Sequence, residues 1–275
     1  MAWTLDALDR AWHPSHWRRP APEPHTGWPL PELGLVAAIA GLHIADHTVI
    51  DERHHVAVHL GTAAGAVVAA LAMGASPTEL GLRPDRAGRG LRRGAGVSTA
   101  LTLGIAAAAL HPATRGYFLD DRVMDVSRRE IAQRSLVHIP FGTAVYEEVV
   151  FRGVLLGLAL RRLPPLPAAA VTSVLFGFWH VFPALADHGA NPTSQGRGRG
   201  AHVAGTVVTT ALAGMAFAWE RLRTNSVVAP IMTHATINAV TYALAATVAA
   251  RHRPDGSPAP ADELDDELRR SSGGP

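Results

Sequence analysis

Residues 136–160 read LVHIPFGTAVYEEVVFRGVLLGLAL, an apolar stretch with Glu147, Glu148 and Arg152 near its centre. At about 1.5 Å rise per residue, a helix of this length crosses a bilayer core of ~30 Å. An acid or arginine left bare at mid-membrane costs roughly 2.5–3.5 kcal/mol, so three together cost on the order of 8–10 kcal/mol. Something in the fold has to offset that. Glu148 and Arg152 are four residues apart, share a helix face and can pair. Glu147 points about a quarter-turn away and must find its partner on another element.

Outward from this stretch the same apolar length recurs. Spans are expected at roughly 32–49, 56–74, 94–111, 135–160, 167–187, 202–219 and 226–249. Apolar residues make up 48% of the 275-residue chain and charged residues only 17%, and the blocks are apolar around most of the helix. The fold class is therefore all-α, a multi-pass transmembrane helical bundle of about seven spans. Its expected organisation is a tail at 1–30, a membrane domain at 31–250 and a solvated tail at 251–275. The first tail carries Trp3, Trp12, Trp17 and several prolines, suited to a membrane interface or to solvent. It shows no signal-peptide core, so the first span is expected to serve as the insertion signal.

All 25 basic residues are arginine, which together with abundant Ala, Gly and Pro points to GC-rich coding and a bacterial source. A net charge of +2 gives no argument for nucleic acid, and none is expected as a partner. The arginines gather in loops, with a bias that places the N-terminus in the cytoplasm. Cysteine is absent, which excludes thiolate nucleophiles, thiolate metal ligands and disulfides. Residues 112–134 read as an interfacial amphipathic helix before the fourth span, and the Gly-rich 188–200 as an access loop or a plain linker.

Other spans carry polar residues of their own. The fifth contains FGFWH, ending at His180; the seventh contains His234 and Asn238, four apart and on one face. Counted from their span ends, Glu147, His180 and His234 lie roughly 12–20 Å deep and can meet inside the bilayer. Singly, each is ordinary interhelical hydrogen bonding. Together on three spans they mark a functional site. A glutamate in an apolar pocket can act as general base, a histidine can hold the same water or protonate a leaving amine, and Asn or a second His can donate to an oxyanion. Glu147, His180 and His234 are equally a plausible zinc set with one position open for water. Both descriptions lead to hydrolysis of an amide by activated water. His43, Asp46 and His47, in HIADH, are expected at a solvated span end, and His59 and His138 as interfacial or packing residues.

The string Glu147-Glu148-Val149-Val150-Phe151-Arg152 resembles the EExxxR motif of the CPBP family, the CAAX proteases and bacteriocin-processing (Abi) enzymes. Phe176 to His180 is similar to that family's FxxxH motif and His234 to Asn238 to its HxxxN motif, in the same order. Leu80-Gly81-Leu82-Arg83 resembles a segment of bacterial members. The resemblance covers roughly 32–250, with no departure at the motif positions. It implies a CAAX-protease-like bundle and an intramembrane endopeptidase, labelled a metalloprotease in the family. Carried over, Glu147 activates water, His180 assists, His234 and Asn238 polarise the scissile carbonyl, and Glu148 and Arg152 hold the site. The expected partners are the lipid bilayer and a peptide or membrane-protein substrate, and the expected location is the bacterial plasma membrane. A catalytically silent scaffold, such as a bacteriocin-immunity protein, is the alternative. A proton-coupled transporter is disfavoured by the lack of repeats or paired broken spans.

Overall fold

The computed structural model describes residues 30–124, 126–188, 196 and 198–251, and every regular element among them is helical. The expected tails at 1–30 and 251–275, apart from Leu30 and Arg251, and most of the Gly-rich 188–200 lie outside the described residues. In chain order the elements are α1 (Leu30–Thr48), α2 (His55–Ala72) and α3 (Pro84–Leu110). A long helix, α4, follows over 128–160. Then come α5 (Pro165–Trp179), α6 (Val181–Asp187), α7 (Arg199–Thr224) and α8 (Val228–Arg251).

Local chemistry accounts for the boundaries. Pro84 and Pro165 start α3 and α5, where a missing N–H costs nothing. Ser127 caps α4, its hydroxyl accepting from the Glu130 N–H at 3.1 Å in a Ser-x-x-Glu arrangement. Asn225 ends α7 in the left-handed region at φ 51°.

Three expectations need correction. The third helix begins at Pro84, about ten residues before the expected 94, because an arginine-bearing amphipathic stretch extends it beyond its apolar part. The expected interfacial helix over 112–134 is instead two 3₁₀ turns, Arg115–Phe118 and Asp121–Val123, and then the first turns of α4. The Ser127 cap is what restarts the helix there. The fifth span is broken at His180 (φ −87°, ψ 7°), which separates α5 from α6.

Among the described residues, four helical stretches are long and apolar enough to cross a membrane: Glu52–Ala72, Pro84–Leu110, Pro165–Asp187 (α5 and α6 across the His180 joint) and Arg199–Thr224. Their outward faces suit hydrocarbon, with Val68, Leu103, Val208 and Leu212 each more than half exposed. α1, α4 and α8 carry acids or histidines that turn inward, and they pack among the others. A core of Ile39, Ala66, Val150, Phe151, Phe176 and Phe217 draws on α1, α2, α4, α5 and α7.

Close helix approach depends on small residues. α3 lies on α8 through Gly90 and Gly94, and a side chain at Gly94 would meet Met232 and the Ala229 backbone. Gly177 on α5 is tighter: a Cβ there would fall 2.6 Å from the Val207 carbonyl oxygen on α7. A backbone atom cannot swing aside. We expect Gly177→Ala to destabilise the protein by about 1–3 kcal/mol through overpacking. Gly104→Ala, with nothing within 4 Å, serves as the neutral comparison in detergent unfolding. Equal unfolding midpoints for the two variants would contradict the packing.

The Leu80-Gly81-Leu82-Arg83 segment is held by hydrogen bonds from α7 and from the residue before α8. Arg221, buried on α7, donates to the Glu79 carbonyl at 2.7 Å and to Asn225 Oδ1 at 2.9 Å. The Val227 N–H donates to the Gly81 carbonyl at 3.1 Å. Gly81 takes φ +67°, and a Cβ there would overlap the Arg221 guanidinium. This turn anchors the segment between α2 and α3 beneath α4.

Candidate active site

α4 is not a uniform helix. Arg134–Val145 and Val149–Leu155 form wide π-helical turns, and between them Tyr146–Glu148 is a single α turn. Such widenings recur at functional sites because they re-aim side chains. Pro140, inside the first of them, lacks a ladder donor. His59 on α2 bridges this region, donating from Nδ1 to the Gly142 carbonyl while Nε2 meets Asp46 of α1 at 2.9 Å. Its ring also stacks on Tyr146 at 4.4 Å.

Glu148 is completely buried, and its Oε1 accepts two hydrogen bonds. One comes from Arg152 Nη1 at 3.0 Å, the pair expected from four-residue spacing. The other comes from His234 Nδ1 of α8 at 2.9 Å. The Arg152 guanidinium lies over the Phe176 ring at 4.0 Å and 5.1 Å from that of Phe217, which together cover its flat faces. Phe217 also stacks on His234, with centroids 5.1 Å apart and planes at 18°.

Glu147 has a different set of neighbours. Its Oε1 accepts from the Trp179 indole N–H at 3.1 Å, and among the described residues its Oε2 has no protein donor. That second oxygen stands 3.9 Å from His234 Nε2. Because Nδ1 donates to Glu148, a neutral His234 presents a lone pair at Nε2 toward the same gap.

His180 sits at the α5/α6 joint, half-buried, and donates from Nδ1 to the Phe176 carbonyl at 2.8 Å. That bond leaves Nε2 as the acceptor nitrogen of a neutral ring. His180 forms no hydrogen bond or ion pair with Glu147, whereas His234 comes within ion-pair distance of it. Asn238, one turn beyond His234, is half-buried.

Trp179 was not singled out from the sequence, although it precedes His180 in FGFWH. The HIADH expectation is corrected for two of its three residues: His43 and Asp46 are buried at 8% and 5% exposure, while His47 is exposed as expected. Asp46 is held by His59, and His43 packs on Trp179. The spacing of HIADH does place His43 and Asp46 near one face of α1, and that was the available signal.

Residues 134–240 match the family model described as Rce1-like, type II CAAX prenyl endopeptidase Rce1-like. That stretch, 107 of the 275 residues, is similar to the CAAX-protease family. The matched segment runs from the first π-helical turn of α4 to just past Asn238. It contains Glu147, Glu148, Arg152, His180, His234 and Asn238. No curated protein and no solved structure matches the chain. The family supports a protease, and with the four apolar helices it makes this an integral membrane protein. α1, α2 and α3 lie outside the matched segment, so the contacts made by His43, Asp46 and His59 are additions to what the CAAX-protease match covers.

Proposed function

We propose that the protein is an intramembrane endopeptidase, cleaving a peptide bond of a peptide or membrane-protein substrate by CAAX-type proteolysis. The observation that carries this reading is the Glu147 Oε2 atom, buried without a protein donor among the described residues and 3.9 Å from His234 Nε2. A water placed off the line between these atoms reaches both at hydrogen-bond distance. Donating one hydrogen to each, it keeps a lone pair for a carbonyl carbon.

As the water oxygen bonds to that carbon, Glu147 takes its proton, and the carbonyl electrons move onto oxygen. The Asn238 amide is suited to donate to that oxyanion. Collapse of the intermediate breaks the C–N bond, and the proton passes to the leaving amine with His180 assisting through Nε2. Glu148 and Arg152 hold His234 in the tautomer this scheme needs. An apolar cavity of about 220 Å³, lined in part by Val36, Ile39, Phe151 and Phe182, adjoins Trp179 and His43. It would take an apolar part of a substrate arriving from the bilayer.

Zinc is the other candidate activator, with Glu147, His180 and His234 as its ligands. Among the described residues no three histidine or acidic side chains are disposed around one point. The Trp179 and Glu148 bonds leave Glu147 Oε2 and His234 Nε2 open to a ligand, but His180 does not join them as a third. The residues as arranged do not form that ligand set, and no step above runs through a metal.

The test uses membranes carrying wild-type protein or Glu147→Ala, compared by proteomics for peptides whose new termini depend on Glu147. A substrate found this way is then given to protein purified in detergent. Cleavage is expected to persist in EDTA and 1,10-phenanthroline. Inactivation by chelators that is reversed by zinc would overturn the metal-free scheme. No Glu147-dependent terminus would overturn the protease reading itself.

A further inference from the structure

We infer that Trp179, braced by His43 of α1, is a positioning residue that engages Oε1 of Glu147 and leaves Oε2 as the reactive oxygen. This deepens the reading of Glu147 as general base and rests on it. A carboxylate has two equivalent oxygens and a low barrier to turning between them. In a site with one histidine on one side, an unheld Glu147 would divide its time among orientations in which neither oxygen faces His234. The Trp179 N–H, 3.1 Å from Oε1, removes that freedom.

Trp179 is itself held on both of its polar ends. Its ring is stacked on the His43 imidazole, with centroids 3.5 Å apart and planes at 19°. His43 Nε2 donates to the Trp179 backbone carbonyl at 2.9 Å. That carbonyl lies at the end of α5, where the helix breaks and no intrahelical donor is available to every last-turn oxygen. Phe151 meets the indole edge-on at 5.3 Å, and Tyr146 lies 5.9 Å from it. Trp179 and His43 are each only 8% exposed. α1 therefore belongs to the site, although it lies outside the matched segment, and its HIADH sequence supplies the brace.

Three variants separate positioning from simple packing. Trp179→Phe keeps an aromatic ring for His43 but loses the N–H. It should lower kcat about ten- to a hundredfold, the range expected for losing a hydrogen bond to a charged group, with KM little changed. His43→Ala keeps the N–H but loses the brace, and should lower kcat by a smaller factor. His43→Gln restores a donor for the Trp179 carbonyl and should recover part of that loss.

A measurement independent of turnover is the indole N–H resonance that disappears in Trp179→Phe, observed on ¹⁵N-labelled protein in micelles. It should move upfield in Glu147→Ala while the other indole signals stay in place. An unmoved indole signal, or a Trp179→Phe enzyme with unchanged kcat, would overturn the proposal. An indole that responds in a protein with no Glu147-dependent cleavage would leave the hydrogen bond standing. That outcome would remove the protease reading, and the positioning role with it.

Discussion

Glu147→Gln is expected to lower kcat by about 10²–10⁴-fold, the usual contribution of a general base, while leaving the fold intact. The replacement is isosteric. Its amide oxygen can still accept from Trp179 Nε1, which now bonds Glu147 Oε1 at 3.1 Å. The other position, 3.9 Å from His234 Nε2, becomes an NH₂ that cannot take a proton from water. Unfolding midpoints of the two proteins in detergent should agree closely. Their single-turnover rates on one substrate should not. A glutamine variant retaining most of the wild-type rate would show that another group removes the proton.

Arg152→Ala should cost about 3–5 kcal/mol of stability and all measurable activity, because it strands a buried carboxylate. Glu148 is fully buried, and its remaining donor would be His234 alone. The guanidinium also fills the space against Phe176 and Phe217, so its removal opens a void among aromatic rings. Arg152→Lys keeps the charge but not the planar group that lies over Phe176 at 4.0 Å, and should recover only part of the stability. The double variant Glu148→Gln/Arg152→Met removes both charges while keeping their volumes roughly filled. It should fold nearly as stably as wild type, since a buried ion pair adds little net stability. It should remain inactive, because a glutamine amide can present either its oxygen or its NH₂ to His234 Nδ1 and no longer fixes the tautomer. A stable and active double variant would show that the ion pair has no part in the chemistry.

These two residues illustrate what could be read early. Glu148 and Arg152 sit on one helix at a spacing that predicts their contact, and a buried charge without a partner is too costly to persist. Their pairing at 3.0 Å follows from local geometry alone. His43 and Asp46 show the opposite. Their place near the end of a span argued for solvent, yet α1 rotates so that both face inward, one against Trp179 and the other against His59. Rotation about a helix axis is a tertiary quantity, set by neighbours that the sequence leaves far apart.

The same holds for which carboxylate His234 serves. Four-residue arithmetic ties Glu148 to Arg152 but says nothing of α8, and adjacency in the chain makes Glu147 and Glu148 look interchangeable. The π-helical turns on either side of Tyr146–Glu148 turn them toward different partners. Glu148 then receives Arg152 and His234, whereas Glu147 receives Trp179 and keeps one oxygen free.

The apolar lengths around 136–160 and the three charges within it determined that this is a helical membrane protein with a polar site in its interior. Solvent and periodicity act residue by residue, so they are written along the chain. Only the packed bundle decided the pairing of the two glutamates, the distance of His180 from Glu147 and the entry of α1 into the site. Those depend on how deep each helix sits and which way it faces, and close approaches such as that of Gly177 to Val207 set both.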